Sequence, residues 1–390
     1  MKDLSQSTPA YFRAEDCDLN DLKALCEQTL SIRDVPHAAS VEKNVAIYEA
    51  RALRPALSDP AARPHLLAEW AHLLRWSAGV FVIKGAYADT APIDRATEIY
   101  MQIIADEKDG HTAADHFAAA GSNDRVWNSL QKLCEADPEV FARYFGNVNI
   151  DAACEAWLGP NYQMTAQVNL VHPGGAAQQA HRDYHLGFQT ADVSARYPAH
   201  VHDLSPVMTL QGGIAHCDMP IESGPTKLLP FSQAYRAGYA AYRLAEFRDY
   251  FEENFVQLPL EKGDAIFFNP ALFHAAGANR TTDQERFVNL VQVSSAFGRS
   301  LEAINRDRMC RLLYPVLHKG ISGMSAEEVD AAISATAEGY PFPTNLDRDP
   351  PVGGLAPESQ AALFRRGLAE GMSPAAFNAA LDAKALKQTV

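Results

Sequence analysis

The sequence predicts an α+β protein, a β-sandwich or barrel core wrapped by helices at both ends. Three observations carry this. From 163 to 297, short extended runs are separated by Gly, Pro, Asn and Asp, the rhythm of an all-β core. On both sides of that stretch, apolar residues recur at helical spacing. The chain has 390 residues, 47% of them hydrophobic, which is enough for one large domain or two ordinary ones. No segment is biased enough to be disordered.

Composition narrows the function classes. A formal net charge of −14 argues against a nucleic-acid backbone or an anionic membrane as partner. No apolar run approaches the roughly 18 residues of a membrane span. The opening MKDLSQSTPAYF lacks the apolar stretch of a signal peptide. The cysteines at 17, 26, 134, 154, 217 and 310 are scattered, with no C-x-x-C pair, as reduced thiols of an intracellular protein would be. The expectation is a soluble, cytoplasmic protein.

Residues 1–78 read as a helical extension. Asp59-Pro60 is a plausible N-cap with Pro at the first helical position, followed by Leu66, Trp70, Leu73, Leu74 and Ser77 on one face, with Gly79 to end the helix. Val80-Phe81-Val82-Ile83 is a short buried strand. Thr90 and Pro92 open another helix, with Ile93, Thr97, Tyr100 and Ile104 at helical spacing. Residues 111–158 read as mixed helix and loop, with Phe117, Trp127, Leu130 and Phe141 as core candidates.

In the first long strand Met164, Ala166, Val168 and Leu170 alternate with Thr165, Gln167 and Asn169. A polar face this regular looks at solvent or lines a polar cavity. Further extended runs are expected at 207–214, 226–230, 256–260, 265–268, 272–276 and 286–294, with a helix or long loop inserted at 234–252. Helices return beyond 300. Ser325-Ala326-Glu327-Glu328 is a capping box and Ser373-Pro374 opens the last helix. Residues 301–390 are expected to pack on a 79–300 core as one integrated domain.

Chemistry concentrates at His181-Arg182-Asp183. In an extended chain residues i and i+2 share a face, so the imidazole and the carboxylate project side by side and Arg182 points the other way, to solvent or a salt bridge. With one more imidazole, two His and one carboxylate on one side of an ion make the facial triad of non-haem Fe(II) oxygenases. Lys262-Gly263-Asp264-Ala265-Ile266-Phe267-Phe268 and Asn269-Pro270 deliver His274 onto the start of a strand. Arg286 heads another, and a guanidinium there suits a carboxylate. Between the two halves lies Glu222-Ser223-Gly224-Pro225-Thr226, then Leu229-Pro230-Phe231-Ser232. There is no phosphate loop, no G-x-S-x-G elbow and no H-E-x-x-H zinc site.

In order and content these stretches resemble the phytanoyl-CoA dioxygenase family of Fe(II)/2-oxoglutarate oxygenases. Its members carry H-x-D, a central N-G-P…P-G-S-H-like segment, and a closing G-D…F…H…G…N…R run. The resemblance begins near Gly79-Val80-Phe81-Val82-Ile83 and covers about 79–297. It implies a double-stranded β-helix (jelly-roll, cupin-like) core, with Fe(II) and 2-oxoglutarate as cofactors. His181, Asp183 and His274 match the metal ligands and catalytic centre. Arg286 matches the partner of the distal 2-oxoglutarate carboxylate, twelve residues beyond His274 and one more than the usual spacing, with Arg280 as runner-up. Asn169 matches a 2-oxoglutarate contact, and Gln167 shares its face. Ala276 stands where the family often has Ser.

The implied chemistry is hydroxylation of a small molecule by O2, with release of succinate and CO2. Because Asp183 is present, halogenation, which uses a vacancy at that position, is disfavoured. Substrate contacts are expected from His185, if the strand continues, and from Gln211 and Thr165, and Lys227 is expected in solvent. Specificity loops would be 185–205, 234–252 and the unmatched C-terminal part, including 340–354, with the C-terminal helices covering the mouth or forming a homodimer interface. Two alternatives remain. One is a non-catalytic jelly-roll metal- or ligand-binding protein, against which the intact triad and Arg286 argue. The other is a cupin-like metal enzyme without 2-oxoglutarate, whose usual H-x-H with a later Glu is missing.

Overall fold

The computed structural model describes residues 9–109, 121–341, 345–351, 353 and 355–389; Phe117 lies outside them. Ten strands form the core: β1 (Ser40–Glu42), β2 (Val45–Glu49), β3 (Val80–Lys84), β4 (Asn123–Val126), β5 (Gln163–Val171), β6 (Thr209–Ala215), β7 (Lys227–Leu229), β8 (Ala265–Phe268), β9 (Phe273–Ala275) and β10 (Arg286–Ser294). Eight make one sheet in the order β1-β2-β3-β8-β6-β10-β5-β4. It is antiparallel except where β2 runs parallel to β3. β7 and β9 pair opposite it, and single bridges from His181 to His274 and from Leu228 to Val256 widen this smaller sheet. The arrangement is the double-stranded β-helix that the resemblance implied, with helices added.

Alternation along the strands decides what each face does. On β10, Phe287, Val291 and Val293 face outward with Met164, Ala166, Val168 and Leu170 of β5, Leu210 and Ile214 of β6, and Phe267 of β8. This face packs against helices Ser129–Ala136, Pro138–Phe145 and Val148–Leu158. Each buried Leu, Val, Ile or Phe there is worth about 1.5–3 kcal/mol. The other face of the same strands, including Val288, Ile266 and Phe268, turns into the barrel. The polar face of β5 therefore looks into a cavity rather than to solvent.

Several expectations need correction. Residues 1–78 are not wholly helical, because β1 and β2 add two strands to the main sheet across the boundary expected at 78. The run Val45-Ala46-Ile47-Tyr48 is fully buried, so it shows no alternation to mark it as a strand. Its hairpin turns on Lys43 and Asn44, both at positive φ (50° and 64°), the two-residue turn that suits strand twist. Asp59 does not cap the next helix: its Oδ1 accepts from Ala61 N at 2.9 Å, and the helix runs Arg63–Trp76 with Pro64 in its first turn. β4 lies within the stretch read as helix and loop, and Trp127 just after it is a half-buried cavity-lining residue rather than core.

The insertion at 234–252 holds helices Gly238–Ala241 and Ala245–Asn254, which pack with Phe12 and Leu22 in a cluster of their own. The C-terminal helices Arg306–Lys319, Ala326–Thr336, Gln360–Ala369 and Pro374–Gln388 join the outer helical layer, not the cavity mouth. Buried Arg306 fastens them to the core by donating to the carbonyls of Met164, Ala335 and Thr336. No helix among the described residues is long and apolar enough to cross a membrane. All six cysteines are free.

Candidate metal centre and its cavity

His181 and Asp183 reach the centre because the residue between them is fixed on the other side. Arg182 is not in solvent: it is 2% exposed, and its guanidinium donates to the carbonyls of Ser232 (2.5 Å) and Tyr235 (2.8 Å) and lies over the rings of Tyr239 and Phe273. A Cβ at Gly238 would sit 1.9 Å from that guanidinium, so glycine is required there. The inserted segment thus wraps Arg182 and turns His181 and Asp183 to the opposite face.

His274 arrives from β9. The two histidines exchange backbone hydrogen bonds, His181 N to His274 O at 3.0 Å and the reverse at 3.2 Å. Each imidazole is oriented through Nδ1, which donates to a nearby carbonyl: Gln179 O for His181 (2.9 Å) and Leu272 O for His274 (2.8 Å). That leaves both Nε2 atoms for a ligand, and such backbone support is how metal-bound histidines are held. The donor atoms of His181, Asp183 and His274 all lie within 4.8 Å of one another. His181 Nε2 is 3.6 Å from Asp183 Oδ1, and His274 Nε2 is 3.4 Å from Oδ2.

The set fits a divalent iron. His274 Nε2 is buried and has no hydrogen-bond partner, and with Nδ1 donating to Leu272 O its lone pair is left for a ligand. Burial drives the His181 imidazole toward its neutral, ligating form. Burial pushes the Asp183 carboxyl up, but the two imidazoles and the Gln211 amide outweigh it and hold the group well below the usual carboxylate range. Two imidazole nitrogens and one carboxylate oxygen on one side of an ion match the facial arrangement.

The centre opens into a cavity of about 590 Å³, room for a drug-sized ligand. Arg286, 4% exposed, lines the same cavity as the apolar cluster of Met219, Leu228, Leu258 and Leu260. Burial lowers its guanidinium to about 10, leaving it a cation at neutral pH. It donates to the carbonyls of Ser223 (3.2 Å) and Gly277 (3.0 Å). These loops meet because residue 224 is glycine: it takes φ +75°, and a Cβ would sit 2.3 Å from Ala278 O. The Glu222-Ser223-Gly224-Pro225 turn is therefore the bracket for Arg286. Arg280 is exposed and does not line the cavity. Asp264 of the Gly-Asp turn is structural, accepting from Lys84 Nζ, Gly85 N and Glu261 N.

Asn169, Gln167, Gln211 and Ala276 line the cavity as expected, and Asn169 Oδ1 is buried without a partner. Gln211, expected to contact substrate, turns its amide to Asp183 and donates from Nε2 to Oδ2. Two expected substrate residues lie elsewhere. Thr165 gives its hydroxyl to Gln292 O (2.7 Å) and is not in the lining. His185 is exposed and outside the lining, because the chain leaves the extended path at Tyr184 (φ 64°) and enters a short 3-10 turn. Lys227 is not solvated: it is 8% exposed, paired with Glu252 at 2.5 Å and lying over Phe255.

Arg125, Trp127, Gln178, Phe188, Leu301 and Glu302 complete the lining. Of the expected specificity regions, 185–205 contributes Phe188 and the C-terminal part contributes Leu301 and Glu302, while no described residue of 234–252 or 340–354 is in the lining. Arg125 donates to Gln167 Oε1 at 3.4 Å, and Glu302 accepts from Asn128 N at 2.7 Å. Burial pushes the Glu302 carboxyl up to about 7. No periodicity in the sequence marks Arg125 or Glu302 as lining residues, since they come from a short strand and a loop.

A jelly roll with a two-histidine, one-carboxylate centre defines a non-haem iron protein. The phytanoyl-CoA dioxygenase (PhyH) family model matches residues 77–288, more than half of the chain, and the chain belongs to that family. Iron and 2-oxoglutarate are accordingly its cofactors. Among curated proteins it is similar to the dioxygenase andF of Emericella variicolor, 27% identical over 142 residues, or 35% of this chain and 43% of that one. It is also similar to the dioxygenase trt7 of Aspergillus terreus (strain NIH 2624 / FGSC A1156), 26% identical over 147 residues, 38% of this chain and 46% of that one. The chain thus spans less than half the length of these relatives. Among solved structures, the epimerase SnoN in complex with Fe3+, alpha ketoglutarate and nogalamycin RO is 20% identical, with TM-score 0.41, over 61% of this chain and 85% of that one.

Proposed function

We propose that the chain is an iron- and 2-oxoglutarate-dependent dioxygenase that hydroxylates a small molecule. The observation that carries this reading is the buried, unpartnered Nε2 of His274, converging with His181 and Asp183 on a cavity that also holds the Arg286 cation. In this reading His181, Asp183 and His274 hold the iron. Arg286 binds the distal carboxylate of 2-oxoglutarate, since a guanidinium in an apolar recess gains most from an anion. Asn169 and Gln167 line the same cavity.

When bound, iron supplies the oxygen activation that couples decarboxylation of 2-oxoglutarate to attack on a C–H bond. The chain's own residues position and exclude. Val288, Leu290, Ile266 and Phe268 keep water from the wall. The Nδ1–carbonyl bonds hold both imidazoles in one tautomer. Asp183 fills the third protein position, which favours hydroxylation over halogenation.

The test is to incubate the purified chain with Fe(II), 2-oxoglutarate and O2 over a metabolite library. Succinate formation should rise with a subset of compounds, each gaining one oxygen by mass. Succinate formation that is indifferent to iron would refute the reading.

A further inference from the structure

The two oxygens of Asp183 differ: Oδ2, 3.4 Å from His274 Nε2, accepts a side-chain hydrogen bond from a described residue, and Oδ1 does not. Gln211, on β6 and 7% exposed, donates its side-chain N–H to Asp183 Oδ2. Oδ1 accepts no hydrogen bond from a described residue and lies 3.6 Å from His181 Nε2. Asp183 is further fixed by its backbone N–H, which donates to Pro270 O at 3.0 Å. The amide orientation of Gln211 follows from its partner, since its oxygen cannot face a carboxylate. Gln211 itself is held in the middle of the main sheet, paired with Phe268 of β8 on one side and Gln292 of β10 on the other.

The number of free positions on the metal makes this contact matter. A facial triad with a one-oxygen carboxylate leaves three positions, which 2-oxoglutarate, binding through two atoms, and O2 together fill. A carboxylate that bound through both oxygens would take one of them. Resting on the reading above, we propose that Gln211 is a positioning residue that keeps Asp183 bound through Oδ1 alone and so preserves the third open position. Its Oε1 is buried and unpartnered, as is that of Gln292, its neighbour across β10, so neither amide is spent on another protein group at that end. Gln211 therefore acts on the site through Asp183 rather than as a catalytic residue.

The test uses the protein loaded anaerobically with Co(II), whose visible spectrum reports coordination number, and then titrated with 2-oxoglutarate by calorimetry. Gln211→Leu removes the donor at nearly constant size, and Gln211→Glu replaces it with a group that cannot donate when ionised. Both should change the Co(II) spectrum before 2-oxoglutarate is added and weaken 2-oxoglutarate by about tenfold or more, the scale of a lost hydrogen bond to a charged group. Arg286→Gln should weaken 2-oxoglutarate while leaving the Co(II) spectrum as in wild type. A wild-type spectrum and unchanged 2-oxoglutarate affinity in either folded Gln211 variant would overturn the proposal. Failure of wild-type protein to bind 2-oxoglutarate with Co(II) would instead remove the parent reading, and this inference with it.

Discussion

Two buried histidines stand on opposite faces of the core and are treated differently by it. His216, beyond the end of β6, has both ring nitrogens occupied, Nδ1 by Thr97 Oγ1 and Nε2 by Tyr144 OH, each at 2.7 Å. Tyr144 in turn accepts from Asn289, and Asn289 accepts from Ser129, so the network closes within the helical layer. His274, 4% exposed, has Nδ1 occupied and Nε2 left without a hydrogen bond. Both are buried to the same degree, 4% exposed, so burial does not tell them apart. The difference is in satisfaction: a histidine that the fold completes is structural, and one that it leaves incomplete is waiting for a ligand.

Breaking each should therefore give opposite phenotypes. His274→Ala should abolish iron-dependent succinate formation while costing less stability, because its imidazole makes one hydrogen bond, from Nδ1 to Leu272 O, where that of His216 makes two. His216→Ala should leave iron binding intact in the folded fraction, yet destabilise by roughly 2–4 kcal/mol as Thr97 and Tyr144 lose their partner inside the core. Iron binding by calorimetry and urea denaturation, run on both variants, check this together. Equal stability losses with iron binding kept in both would erase the distinction.

The same contrast extends to the buried arginines. Arg286 has two of its donors on loop carbonyls and faces the cavity, whereas Arg182 is enclosed by carbonyls and rings. Arg286→Gln should raise the KM for 2-oxoglutarate by about 10- to 100-fold, the scale of a lost charge-assisted pair, with little change in melting temperature. Arg182→Met should instead cost roughly 2–4 kcal/mol by removing two buried charge-assisted hydrogen bonds, those to the Ser232 and Tyr235 carbonyls, and the contacts with the Tyr239 and Phe273 rings. Gly238→Ala should cost similarly, because its Cβ would strike the guanidinium. Steady-state kinetics beside thermal melts separate the two outcomes, and a normal melt for Arg182→Met would show that its enclosure is incidental.

What was legible in the sequence follows from where the signal sits. His181, Asp183, His274 and Arg286 lie on extended segments where spacing fixes the face, and the cavity receives all four. Parity failed where the backbone stopped being extended, at Tyr184, so His185 went elsewhere. It failed differently at Arg182: the face was right, but the helical insertion that covers that face comes some fifty residues later in the chain. Strand β2 was missed because burial on both faces erases alternation. The lining residues Arg125 and Glu302 were unreadable because a loop and a four-residue strand carry no periodicity.

The dependence on pH sharpens the comparison. Burial, helped by the nearby Lys262 charge, lowers the His216 imidazole from 6.5 to about 3 in the folded protein. Above pH 6.5 the ring is neutral in folded and unfolded chains alike, and its contribution is fully present. As pH falls from 6.5 toward 3 the unfolded chain takes up a proton that the folded one refuses, so stability is lost by up to about 1.4 kcal/mol per pH unit. Glu302 works the other way: its carboxyl, raised from 4.5 to about 7, binds a proton more tightly when folded and adds stability as pH falls from 7 to 4.5. The two partly cancel between 6.5 and 4.5, so acid sensitivity from His216 should emerge mainly below pH 4.5. Denaturation of wild type and His216→Gln from pH 7 to 3.5 isolates it. Parallel curves across that range would show that His216 accepts its proton in place, and that satisfying both nitrogens does not keep it neutral.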